Sequence, residues 1–175
     1  MDIREYNITY IAKEFLTRSG WKIIAYNPPG SQGTFTIPNP AKDGAYRGQT
    51  GSLSPDIVAL KIVNETNIFL IVESKPTYSV SDVTKMTSMF NQKERKELFL
   101  RILQGHCEAN DISYNPKNKT IIEFAKAHGG NSRTDSIVST ISVSQNEEWS
   151  SKIIDPTQDI YSKFSVNVSG NFLKN

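Results

Sequence analysis

Residues 55–75 read PDIVALKIVNETNIFLIVESK, and this stretch decides how the whole chain is understood. Asp56, Ile57, Val58, Ala59 and Leu60 make a short run that is apolar after its first residue. Asn64, Glu65, Thr66 and Asn67 supply turn chemistry, and residues 68–72 (IFLIV) form a second run rich in β-branched and aromatic side chains. Two apolar runs around a tight polar loop predict a β-hairpin. The second run is apolar at every position, which places it inside a sheet rather than at its edge.

Side chains alternate across a strand, so Glu73 and Lys75 leave the second strand on one face while Ser74 leaves on the other. The first strand begins at Asp56 and the second ends at Glu73, so antiparallel pairing brings both carboxylates to one end of the hairpin, beside a lysine. A carboxylate pair of this kind suits a hard divalent cation such as Mg²⁺, or Mn²⁺ in its place, and the ammonium can orient or help deprotonate an attacking water. Solvated charges that neutralise one another at a hairpin end are the ordinary alternative. Charges that end a central strand fit that alternative less well.

Pro55 and Asp56, the hairpin, and then Glu73, Ser74 and Lys75 resemble the signature of the PD-(D/E)XK nucleases, the restriction-endonuclease-like superfamily. The resemblance implies that Asp56 and Glu73 bind metal and that Lys75 serves the water. It also implies an α/β fold with a mixed β-sheet flanked by helices. In this family an acid of the first helix sometimes joins the metal site, and here Glu5 and Glu14 both qualify. The activity implied is Mg²⁺-dependent, sequence-specific cleavage of double-stranded DNA, similar to a type II restriction enzyme. Symmetric sites are read by twofold dimers, so a homodimer is expected. Three alternatives stay open: a repair or Holliday-junction nuclease, a nicking subunit of a heteromeric restriction enzyme, and a DNA-binding module of the same fold without catalysis.

Upstream, Ile3, Tyr6, Tyr10, Ile11, Phe15 and Leu16 recur at helical spacing between Asp2, a candidate N-cap, and Gly20, a candidate stop. A strand over 21–26 follows. Residues 27–54 hold four prolines and five glycines and read as an irregular loop that carries Lys42, Arg47 and Gln49 toward the acidic motif as candidate DNA contacts. Downstream, Ser81 or Asp82 caps a helix with Val83, Met86 and Phe90 on one face and Lys85 on the other. Residues 91–103 continue as helix, or as strand over 98–103, and bring Lys93 and Arg95 as further candidate contacts. Residues 105–118 read as loop. A strand is expected over 119–127, a polar loop from His128 to Arg133, and another strand over 136–143. Lys126, His128 and Arg133 are the candidate phosphate contacts of that region. Past Asn146 a short helix from Asp155 toward Phe164 and a terminal strand over 166–175 are the readings.

At 175 residues, 37% hydrophobic and 22% charged, the chain is one globular domain, with its nuclease core over 2–143. The net charge of +2 selects no partner class. Cys107, the single cysteine, is expected to be a buried inert thiol. His106 and His128 lack ligand-spaced neighbours, and no nucleotide-binding fingerprint appears, so no nucleotide cofactor is expected. The N-terminus lacks the pattern of a signal peptide and no stretch is long enough to span a bilayer, so a cytoplasmic protein without a membrane partner is expected.

Overall fold

The computed structural model describes residues 4–31, 35–38, 52–77, 80–81, 84, 87, 90–91, 93–129, 138–145, 149–154 and 168–170, with side chains up to residue 143. It is a mixed α/β structure built on one sheet. Its strands are β1 (Lys22–Tyr26), β2 (Ile57–Val63), β3 (Thr66–Lys75), β4 (Lys119–Gly129), β5 (Ser139–Gln145), β6 (Trp149–Ile154) and β7 (Val168–Gly170), and they lie side by side in chain order. β3, β4 and β5 are parallel neighbours, and all other pairs are antiparallel. A parallel pair needs a long crossover, and α2 (Lys93–Ala109) lies within the one between β3 and β4. The first helix, α1 (Glu5–Arg18), precedes β1.

Period two along the strands sorts the core into two layers. Ile57, Ala59, Ile68, Leu70, Val72, Ala125, Ala127, Ile141 and Val143 pack with Ile8, Ile11, Ala12, Phe15 and Leu16 of α1. On the opposite face Val58, Leu60, Phe69 and Ile71 pack with Phe99, Leu103 and Cys107 of α2 and with Phe35 and Ile37. β3 is buried on both faces, as its uninterrupted apolar run requires, and sits between β2 and β4.

The hairpin turn is tighter than its polar composition suggests. β2 runs on to Val63, and Asn64 (φ 48°) and Glu65 (φ 59°) alone make the turn, both in left-handed backbone. Two consecutive left-handed residues match the twist of a hairpin, but the second position favours glycine. Glu65→Gly is expected to stabilise the protein by about 1 kcal/mol, read as a higher urea midpoint with an unchanged slope. An unchanged midpoint would show that the turn stores no such strain.

The first helix ends as expected at Gly20 (φ 82°). The Gly20 amide donates to Thr17 O at 3.1 Å and the Trp21 amide to Leu16 O at 3.0 Å, the paired bonds of a left-handed helix stop. Its start differs from expectation: Arg4 holds the N-cap position with no side-chain cap, and Asp2 lies outside the described residues. Two other boundaries move. The helix reading holds from Lys93, after a turn at Phe90 and Asn91, and the strand reading over 98–103 does not, because Phe99, Leu103 and Cys107 recur every four residues and bury one stripe. That stripe carries α2 past the exposed Gly105 to Ala109, where loop was expected. β4 likewise takes in His128 and Gly129, because β3 continues beside it to Lys75. Val80, Ser81, Thr84 and Thr87 are helical. Asp82, Val83 and Met86, and the expected helix from Asp155 toward Phe164, lie outside the described residues.

Candidate active site

The Pro55–Asp56 segment reaches its place through a residue the sequence reading passed over. Asn27, buried where β1 ends, donates from Nδ2 to Pro55 O at 2.9 Å and to Phe35 O at 3.2 Å. Its backbone amide donates to Asp56 O at 2.8 Å. One side chain thus holds the loop return to the sheet. An Asn directly ahead of two prolines is its only trace in the sequence, and that pattern does not reveal a partner twenty-eight residues away.

Register does the rest. Ile57 pairs with Val72, so Asp56 and Glu73 stand opposite each other at the hairpin's open end, as expected from the sequence. The Ser74 amide, between Glu73 and Lys75, donates to Asp56 Oδ2 at 2.6 Å and pins that carboxylate across the strand end. Lys75 Nζ lies 3.5 Å from Glu73 Oε1 and 3.0 Å from Glu5 Oε1. Between the two acids left open in α1, Glu5 comes to the site. Glu14 pairs instead with Lys13 at 3.0 Å, more than two helical turns further along.

Electrostatics acts strongly on Asp56. Burial, and then the charge of Glu73, push the Asp56 carboxyl up to about 7 against the opposing Ser74 amide and Lys75. For Lys75, burial would lower the pKa, but the hydrogen bond it donates to Glu5 and the charges of Glu73, Glu5 and Asp56 outweigh it and raise it. A lysine held protonated orients a ligand oxygen by donating to it, so orientation is the role open to Lys75 in this arrangement, ahead of proton abstraction.

Among the described residues no group of three or more His, Cys, Asp or Glu side chains converges as a metal cage. Asp56 and Glu73 nevertheless make a donor set of the kind Mg²⁺ takes, because that ion keeps several waters and needs only one or two protein carboxylates. A carboxyl whose charged form is disfavoured by a neighbouring carboxylate also gains from a nearby cation.

The chain matches no family model, no curated protein and no solved structure.

The candidate DNA contacts divide three ways. Lys42, Arg47, Gln49, Lys85 and Arg133 lie outside the described residues. Lys93 is exposed, 3.8 Å from Glu97, and remains accessible to an anion. Arg95, Lys126 and His128 are corrections. Arg95 is buried on α2, Lys126 is wholly buried, and His128 is 1% exposed in β4, so none presents its charge to a phosphate at the surface. Basic residues on a strand that a neighbour extends are carried inside with it. Cys107 is the buried thiol expected, its pKa pushed up to about 11 by burial. No helix among the described residues is long and apolar enough to cross a membrane.

Proposed function

We propose that the chain is a divalent-cation-dependent DNA endonuclease of restriction-endonuclease-like architecture, and that it cuts at specific sequences as a homodimer. The observation that carries this reading is the meeting of Asp56, Glu73 and Lys75 at one end of the β2–β3 hairpin, with the Ser74 amide fixing Asp56. The mixed sheet flanked by helices supports the same reading.

In this reading Asp56 and Glu73 hold Mg²⁺. The ion, when bound, polarises the phosphoryl oxygen and favours the ionised form of the attacking water. Asp56 is held by the Ser74 amide, so its outer oxygen is presented without reorganisation. Lys75 donates a hydrogen bond that lines up the incoming water for in-line attack on phosphorus, and Glu5 keeps the ammonium from swinging away.

The test is an unmethylated plasmid incubated with the protein in Mg²⁺, in excess chelator, and with Glu73→Ala. Discrete Mg²⁺-dependent fragments that disappear with chelator and in the variant are expected. Open-circle product alone would move the reading to a nicking subunit, and cleavage of branched DNA alone to a junction nuclease. Intact DNA of every form would remove the enzyme reading.

A further inference from the structure

Two lines of polar residues cross the sheet beside the candidate site. In the first, Glu73 of β3 is in register with Lys126 of β4, and Lys126 with Thr140 of β5. In the second, Lys75 is in register with His128 and His128 with Ser142. Lys126 and Thr140 are wholly buried, and His128 and Ser142 nearly so. Thr140 Oγ1 has no hydrogen-bond partner among the described residues. His128 Nδ1 lies 3.0 Å from Gly129 O, which can only accept, so the ring proton sits on Nδ1 and Nε2 faces Ser142 Oγ at 3.4 Å.

Burying a lysine is costly unless an acid accompanies it. In-register residues of neighbouring parallel strands leave the same face about 4.8 Å apart, so the acid set beside Lys126 is Glu73. We propose that Lys126 is a positioning residue that holds the Glu73 carboxylate from the β4 side, while Lys75 holds it from within β3. Glu73 then stands between two ammonium groups with little rotational freedom, and the candidate site extends across β4 rather than ending at β3. His128 fills the equivalent place in the register beside Lys75. The proposal rests on the nuclease reading for its effect on turnover but not for the pairing itself.

A double-mutant cycle separates the two. Lys126→Met should lower the folding equilibrium constant at least 10-fold in the wild-type background, because it removes the buried cation beside the partly buried Glu73 carboxylate, and by much less in a Glu73→Gln background. Equal losses in both backgrounds would overturn the pairing. If Lys126→Met does not fold, recovery of folding in the Lys126→Met/Glu73→Gln double variant supports the pairing, and failure of both overturns it. In cleavage assays kcat should fall roughly 10-fold or more with KM for DNA unchanged, since a buried lysine touches no DNA. A raised KM at constant kcat would instead make Lys126 a DNA contact and overturn the proposal. Coupling in the cycle from a wild-type protein that cleaves nothing would remove the nuclease reading and leave the pairing standing.

Discussion

Asp56→Asn is expected to abolish cleavage and, in the absence of divalent cations, to make the protein more stable at neutral and alkaline pH. The loss of activity follows, on the proposed reading, from removing one of the two carboxylates that would hold the metal, which removes several kcal/mol of transition-state stabilisation, roughly three orders of magnitude in rate. The gain in stability follows from the carboxyl's environment. Asp56 is raised from its ordinary 3.8 to about 7 in the folded protein, first by burial and then by Glu73. Between those values the folded state keeps a proton that the unfolded chain has lost. Stability therefore falls as pH rises through that window, at up to about 1.4 kcal/mol per pH unit, and the deficit is complete above pH 7. The Asn side chain is neutral and still offers an oxygen to the Ser74 amide, so it escapes the deficit.

The difference between variant and wild type should thus be small near pH 4 and grow to a plateau of about 2–4 kcal/mol above pH 7. Thermal unfolding in chelator from pH 4.5 to 8.5 measures it. Parallel curves for the two proteins would show that Asp56 is an ordinary surface carboxylate, and would take away the electrostatic case for a cation. Added Mg²⁺ should narrow the gap by stabilising the wild type alone.

The hairpin and its acidic end were legible because period two and antiparallel pairing are short-range rules: once residues 57–63 and 66–75 pair, Asp56 and Glu73 must meet. The choice between Glu5 and Glu14 was not legible. Both sit on one helix, and only the docking of α1 on the sheet brings Glu5 to Lys75. Lys126 and His128 were misplaced for a related reason. Lys126 lies in the strand expected over 119–127, where nothing local marks it as buried, and His128 and Gly129 read as the start of a polar loop, yet β3 and β5 supply hydrogen-bonded neighbours on both sides and carry the strand through them. Tertiary pairing overrides local composition there, and it does so at the strand ends where the polar lines lie. Gly105 shows the same override in a helix, where a buried stripe outweighs one unfavourable residue.

Phe69→Ala is expected to remove about 3–5 kcal/mol of stability, which is most of what a domain of this size commonly has. Phe69 is fully buried in the middle of β3 on the α2 face. It meets Phe99 of α2 edge-on at 6.5 Å and Tyr114 at 5.5 Å, and Phe99 in turn meets Phe35 at 5.9 Å and Phe90 at 5.3 Å. The ring therefore joins the strand that carries Glu73 and Lys75 to the helix and to the Phe35 segment, whose carbonyl Asn27 also holds. Deleting it empties a space bordered by β3, the Phe99 ring of α2 and the Tyr114 ring, and close-packed rings cannot all move inward at once. Phe69→Leu keeps most of the volume and should cost about 1.5 kcal/mol or less. Denaturant midpoints of the two variants give the comparison, and a Phe69→Ala loss below that of Phe69→Leu would mean the α2 layer can collapse onto the sheet. Because Phe69 touches neither carboxylate, Phe69→Leu should cleave DNA at the wild-type rate well below its melting temperature, with activity failing only where folding does.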